Sequence, residues 1–403
     1  MKRKTLVTLI LSSLLAATLS GCASTALAQN TDAAAGATEA DKVQDTKAAA
    51  GSTIAGDAQI AKSGSFRTAK EEVDAITVGW NLGNTLDATS WSGMGKEDLS
   101  SETSWGNPAI TQEMIDGIKE AGFNTVRLPV TWCGHMDPET HEVDAEWMAR
   151  VTEVVDYILE DDLYCIVNVH HDTGDKGWIR ATAANFEENK DAVAQLWQQI
   201  AENFRDYDDR LMFEGFNEML DDNAEWSNPK HESIAAVNDY NQLYIDTIRA
   251  SGGNNAERNL ICNTYAAGCG STMLNGFVLP TDSADGHLIA EIHDYAPYNF
   301  VAPEHPETTT WTEAEVRSGI LSAHTTFASR AVPCIIGEFG CAPKEDGEAR
   351  YAWADYFCQT AADKKMPVIW WDNGNAKEYG IYDRKGNAIA DQRMMDILLQ
   401  YAQ

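Results

Sequence analysis

Eight short apolar runs punctuate the chain: 75–80 (AITVGW), 125–130 (TVRLPV), 164–169 (YCIVNV), 211–216 (LMFEGF), 259–264 (NLICNT), 287–292 (HLIAEI), 333–339 (PCIIGEF) and 367–372 (PVIWWD). They do not alternate strictly between apolar and polar, which is the pattern of strands buried on both faces. Amphipathic segments lie between many of them. In 109–123, Ile110, Met114, Ile115 and Ile118 recur at helical spacing, and Gly122 stands where a helix would stop. Segments 145–162 and 192–204 repeat that spacing. Buried strands joined by helices indicate a parallel sheet, and eight of them in about 330 residues point to a (β/α)8 TIM barrel. The competing arrangement is an open doubly wound sheet. It would place a Gly-rich nucleotide turn after an early strand, and 79–86 (GWNLGNTL) is not such a turn.

The first 65 residues lack this pattern. Lys2, Arg3 and Lys4 precede an apolar stretch, 6–19, that is too short for a comfortable membrane span. Residues 1–21 read as a secretory signal. The signal ends in LSGC, which resembles a bacterial lipobox and would make Cys22 the lipidated first residue of the mature chain. Residues 22–65 contain no aromatic residue and no proline. Such a stretch cannot bury enough apolar surface to offset its ordering entropy, and it reads as a flexible tether. All 12 Trp lie beyond it. Residues 66–403 are thus expected to form a single domain, held outside the cytoplasm on a bacterial membrane by a lipid anchor, at the cell surface or in the periplasm.

Charge and cysteine content narrow the partners. A formal net charge of −32 repels phosphate backbones and argues against nucleic acid. Without Cys22, seven of the eight cysteines remain, so at least one is unpaired. Cys165 and Cys334 sit in apolar runs as small core residues. Cys262 with Cys269, and Cys334 with Cys341, are pairs that spacing allows but does not establish.

In a barrel of parallel strands, chemistry gathers where the strands end. Those ends carry Asn81 and Asn84; Arg127; His170 and His171; Asn217 and Glu218; Asn263, Thr264 and Tyr265; His293 and Tyr295; Glu338; and Trp371 with Asp372 and Asn373. Glu218 lies just past the fourth run and Glu338 at the end of the seventh, where two carboxyls can face each other across a barrel mouth. Retaining glycoside hydrolysis needs such a pair about 5–5.5 Å apart. Arg127 would hold Glu338 ionised, and an apolar or anionic setting would keep Glu218 protonated. Glu214, Glu291 and Asp294 read as decoys, with Glu214 facing the layer between core and helices. Neighbours on a strand point to opposite faces, so His170 and His171 are not expected to share a metal. No metal or cofactor is expected.

The motifs GWNLGNTLDA, VRLPVTW, NVHHD, FEGFNE, HDYAPYNF, IGEFG and WWDNG together resemble glycoside hydrolase family 5, in its endo-β-1,4-glucanase branch. They span about 78–374. The resemblance implies a (β/α)8 fold and retention of anomeric configuration. It assigns Glu218 as general acid/base and Glu338 as nucleophile. Asn217 would contact the 2-hydroxyl, and Arg127 would orient the nucleophile. His170 would close the third strand, and His293 and Tyr295 would flank the two carboxyls. One Trp of WWDNG would be the sugar platform; strand alternation favours Trp371 over Trp370. Asn84, Asn81, His171 and Trp178 are further substrate-binding candidates. Trp91, Trp105, Trp132, Trp226 and Trp311 join Trp178 as loop aromatics for sugar stacking, whereas Trp147 and Trp197 belong to helices. The sequence departs from the family's NEP with NEML after Glu218, which alters contacts on the leaving-group side. The implied substrates are cellulose-like glucan, mixed-linkage β-glucan and xyloglucan. The same chemistry on mannan or xylan, or a non-catalytic glycan-binding lipoprotein, are the alternatives. A monomer is expected.

Overall fold

The structure is a computed structural model that describes residues 66–402. The expected signal, Cys22 and the tether lie outside the described residues. The first helix, α1 (Ala69–Ala75), starts at Thr68. The Thr68 side chain accepts from the Glu71 amide, and the Glu71 carboxylate accepts from the Thr68 amide, a reciprocal cap. The chain then runs β1 (Gly79–Leu82), α2 (Gln112–Glu120), β2 (Thr125–Leu128), α3 (Ala145–Glu160), β3 (Tyr164–Asn168), α4 (Ala183–Asn203), β4 (Leu211–Glu214), α5 (His231–Ser251) and β5 (Leu260–Gly268). It continues through α6 (Ser271–Gly276), β6 (Leu288–His293), α7 (Tyr298–Val301), α8 (Glu313–Ala328), β7 (Cys334–Phe339), α9 (Gly347–Asp363) and β8 (Val368–Asp372). A small hairpin, β9 (Tyr382–Asp383) with β10 (Ala388–Ile389), precedes α10 (Gln392–Gln400). Strands β1 to β8 are parallel and pair in order, and β8 closes on β1. This is the (β/α)8 barrel expected from the eight runs.

Strand alternation sorts the side chains into an outer and an inner row. The outer row, including Trp80, Leu82, Val126, Leu128, Val167 and Phe213, is buried under the apolar faces of the helices. Those faces carry Met114, Ile115 and Ile118 of α2 and Val151, Val154, Val155 and Ile158 of α3. The inner row begins at the barrel foot with Ile166, Met212, Ile261, Ile289, Ile335 and Ile369, one from each of β3 to β8. Gly79 of β1 leaves room for this ring, since a Cβ there would lie 2.8 Å from the Ile369 side chain. Helix α1 closes the foot from below with Ala69 and Val73, joined by Ile76 just past its end. Each fully buried Ile or Met contributes about 1.5–3 kcal/mol. The ring therefore matches the net stability of a whole domain in size.

Three sequence expectations shift. The run at 75–80 straddles α1 and β1, because Ile76 belongs to the foot and the strand starts only at Gly79. Helix α4 begins at Ala183 rather than 192. Its first turns bury no residue fully, with only Phe186 packed against the core, and the Thr182 side chain accepts from the Asn185 amide to start it. All seven cysteines beyond residue 66 are free thiols, so neither considered disulfide forms. Cys334 opens β7 and Cys341 lies past its end; a strand rises about 3.3 Å per residue, far beyond the reach of a disulfide. Most of β5 likewise separates Cys262 from Cys269.

Candidate active site

Above the isoleucine ring the inner row turns polar, and its centre is Arg127 of β2. The guanidinium has five N–H donors. All five are engaged. Nε and Nη2 donate to Oε2 and Oε1 of Glu214 at 2.6 and 2.7 Å. Nη1 donates to Glu338 Oε1 at 2.6 Å and to Asn81 Oδ1 at 2.9 Å. The remaining Nη2 proton goes to Asn217 Oδ1 at 3.0 Å. Arg127 is fully buried. Burial works against its charge, but Glu214, Glu338 and Glu291 overwhelm that cost and raise its pKa far above the ordinary value.

This network orients Glu338, at the end of β7. Its second oxygen accepts from the Tyr295 hydroxyl at 3.0 Å. Burial raises the Glu338 carboxyl, while His293 and Arg127 pull it back toward the ionised form. Burial also keeps Tyr295 protonated, and so a donor. Glu218 sits opposite, with Oε1 2.9 Å from His293 Nδ1. One oxygen of Glu218, one of Glu338 and a ring nitrogen of His293 all lie within 4.8 Å of one another. That spacing suits a retaining pair and is too small for an inverting one, which must admit water between carboxyls about 6.5–9.5 Å apart. The Glu218 side chain is 22% exposed and that of Glu338 only 7%. The more open carboxyl can meet a leaving group and water, while the enclosed one is held in place.

His170 faces the same space. The Val130 amide donates to Asn168 Oδ1 at 3.1 Å, which fixes the orientation of the Asn168 amide. Asn168 Nδ2 then donates to His170 Nδ1 and to Glu214 Oε1, both at 3.0 Å. His170 therefore carries its proton on Nε2. Burial, with help from His171, Arg127 and His293, keeps the ring neutral. Its plane lies 2° from that of Trp371, with ring centroids 5.8 Å apart. Trp371 points inward as strand alternation predicted, and Trp370 is buried on the outer side. Gly83 makes room for the indole, since a Cβ there would lie 2.6 Å from its edge.

The structure thus gathers Arg127, His170, Asn217, Glu218, His293, Tyr295, Glu338 and Trp371 at one end of the barrel. The remaining candidates divide between core and rim. Asn81 has no exposed surface and donates to the carbonyls of Gly337, Ile369 and Trp370, so it ties strands together and is closed to sugar. Asn84 lies at the rim in a left-handed turn, φ 58°, with its carbonyl bonded by Asn107. Trp132 is fully buried and donates to the Asn168 carbonyl, so it is a core residue. Trp178 is half-buried and donates to Asp172. Trp311 packs on Tyr356. Trp91 and Trp105 are 38% and 37% exposed and flank His171 at 5.5 and 5.4 Å.

Two geometric premises also need correction. Glu214 does not face the helix layer. It shares the inner row with Met212, two residues earlier on β4, and both its oxygens bind Arg127. His170 and His171 do not diverge. Strand β3 ends at Asn168, and beyond it the two rings meet with centroids 4.5 Å apart. Side-chain atoms of both approach Asp87. The proton on His170 Nε2 leaves that nitrogen without a lone pair for a cation.

Sequence reasoning misses Asn168 and takes Glu291 for a decoy. Their signal is positional: each lies two residues before a site histidine, on the same inward row, as Glu214 lies two residues after Met212.

Comparison with known proteins agrees with this geometry. Residues 88–377 match the cellulase family, glycosyl hydrolase family 5. Endoglucanase B of Neocallimastix patriciarum is 37% identical over 344 residues, which cover 83% of this chain and 72% of that protein. The GH5-4 broad specificity endoglucanase from Ruminococcus champanellensis, solved with bound cellotriose, superposes with a TM-score of 0.78 at 39% identity, over 83% of this chain and 98% of that one. A mutant of a family 5 enzyme from Prevotella bryantii, solved with a xyloglucan tetradecasaccharide, gives 0.76 at 37% identity, over 84% and 99%. With a catalytic-type carboxyl pair at the mouth of the matching barrel, the chain belongs to the cellulase family, glycosyl hydrolase family 5, and is a glycoside hydrolase.

Proposed function

We propose that the protein is an endo-β-1,4-glucanase that cleaves internal bonds of β-glucan chains with retention of configuration. The observation that carries this reading is the close Glu218–His293–Glu338 cluster, anchored through Arg127. Glu338 attacks the anomeric carbon while Glu218 protonates the departing oxygen. A covalent glycosyl ester forms on Glu338, and Glu218, now a carboxylate, draws a proton from water that releases the sugar. Arg127 and Tyr295 hold the nucleophile in line. Asn217 has its Oδ1 committed to Arg127, which turns its Nδ2 protons to the sugar 2-hydroxyl. His170 offers Nε2–H to another hydroxyl. Trp371, and farther out Trp91 and Trp105 beside His171, supply faces for the CH surfaces of successive sugars. Asn84 and Trp178 complete the candidate contacts. Every group named comes from one chain, so a monomer suffices.

Cellulose-like chains, mixed-linkage β-glucan and xyloglucan are the proposed substrates; the cellotriose and xyloglucan complexes of the relatives support the first and the last. The test is the configuration of the first product. Proton NMR of a fresh digest of mixed-linkage β-glucan should show the β-anomer before mutarotation. The α-anomer appearing first would mean inversion and would sink the mechanism. Parallel digests of mannan and xylan ask whether the rim admits other backbones.

We further infer that the chain is a lipoprotein held outside the cytoplasm through Cys22, with residues 1–21 removed. Support comes from the basic start, the apolar stretch and LSGC. Labelled palmitate should enter the full chain in a bacterial host and be absent from Cys22→Ala. Equal labelling of both would refute the anchor.

A further inference from the structure

Two buried polar atoms inside the barrel lack a hydrogen-bond partner and face each other. They are Nε2 of His293 and Oε1 of Glu291, 3.6 Å apart. Glu291 precedes His293 by two residues on β6 and shares its inward row. The carboxyl is fully buried. Its Oε2 accepts from Asn263 Nδ2 at 3.2 Å. Its Oε1 is 3.5 Å from Arg127 Nε, but that proton is committed to Glu214. An ionised carboxyl in so dry a place needs a cationic partner, and His293 is the one whose nitrogen remains free. The neighbouring strand is shaped around it. A Cβ at Gly337, the residue before Glu338, would lie only 1.4 Å from Glu291 Oε1.

We propose that Glu291 is a positioning residue that keeps His293 an imidazolium, with Nε2–H turned down to Glu291 and Nδ1–H turned up to the Glu218–Glu338 pair, and that Gly337 is a glycine to admit it. This rests on the roles proposed for Glu218 and Glu338. When Glu218 gives up its proton, the imidazolium 2.9 Å away steadies the new carboxylate. When Glu338 is esterified it loses its charge, and Glu218 becomes the main partner above the ring. The His293 protons stay on the ring throughout; it stabilises charge and transfers nothing.

The groups facing His293 are Glu291 on its own strand, Glu338 of β7, Glu218 after β4 and His170 after β3, with Tyr295 and Arg127 bonded to Glu338 beyond them. Glu291 is also faced by Arg127 and Glu214. Burial pulls the imidazole down, but Glu338, Glu218 and Glu291 outweigh it and push it up to about 10. Removing the Glu291 charge lowers the pH at which the imidazolium is lost, so the basic limb of activity moves down.

The test is Glu291→Gln in the full chain, which keeps the shape and removes the charge. On mixed-linkage β-glucan, kcat should fall on the order of tenfold or more with KM little changed. The basic limb of kcat should move down by about 1 pH unit or more. Gly337→Ala should move it the same way by displacing the carboxyl. A purely structural role would reduce folded protein and leave the limb in place. Nitrogen-15 NMR of histidine-labelled protein at pH 8 provides a readout independent of turnover. Both His293 nitrogens should be protonated in the wild type. A neutral His293 there, or an unmoved limb in folded Glu291→Gln, overturns the proposal. Failure of the wild type to cut any glucan strikes the proposed function instead, and the histidine signal still decides this inference.

Discussion

Glu338→Gln should reduce release of reducing ends from mixed-linkage β-glucan, xyloglucan and carboxymethyl-cellulose to background, a loss of at least about 10⁴-fold on the scale of nucleophile deletions. The reason is chemical and not architectural. The amide oxygen of Gln can still accept from Arg127 Nη1, as Oε1 of Glu338 does at 2.6 Å. An amide is a poor nucleophile toward the anomeric carbon, so no glycosyl ester forms. Binding should survive, and thermal unfolding should stay close to wild type. The outcome that breaks the assignment is substantial cleavage by a purified, folded Glu338→Gln. A variant that binds cello-oligosaccharide with unchanged affinity and does not turn it over would confirm that the lost step is chemical. A wild type that binds without turnover would favour a glycan-binding protein instead.

Arg127→Met should be the most damaging single change to stability among the site residues. Five hydrogen bonds disappear at once, and Glu214, Glu291 and Glu338 lose their shared cation in a layer closed to water. Breaking a buried pair by removing one partner costs about 3–5 kcal/mol, and here three carboxyls share the partner. The loss should depend on pH. Burial already raises the Glu214 carboxyl. Without Arg127 its folded-state value rises further above the unfolded value, so the deficit is small in acid, where the proton stays on. It grows as pH rises through neutrality. Denaturant unfolding at pH 5 and pH 8 measures this directly. A loss equal at both pH values, or no loss, would mean that the carboxyls find another way to be neutralised.

How much of this could be read before the structure depends on which face of a strand a residue occupies. The count of strands, their parallel arrangement and the placement of Glu218 and Glu338 at strand ends followed from eight apolar runs and the motifs after them. Glu214 was misread because both faces of β4 are buried, so Leu211, Met212 and Phe213 give no alternation from which to take its direction. His170 and His171 were misread for the opposite reason. Alternation was applied past Asn168, where the strand has already ended. Trp132 looked like a loop aromatic because nothing local distinguishes an indole over a cleft from one under it; its bond to the Asn168 carbonyl is made at long range. Helix α1 was hidden because its last apolar residues merge with the first strand run. Beyond its link to Glu338, the network around Arg127 is invisible to motif reading, since it joins β1, β2, β4 and β7.

The closure of the barrel foot by α1 sets the direction in which the enzyme faces its polymer. Parallel strands send all their ends to the mouth, so a helix entering ahead of β1 must meet the opposite end. Near the other terminus, Leu398 and Tyr401 line one cavity with Val73 and Ile76, which brings the last helix to that end too. The chain is therefore plugged in from behind. A surface gripping it at either end of 66–402, whether a bead, a scaffold or a membrane, meets the back of the barrel and leaves the mouth, with Glu218 and Glu338, facing away from it.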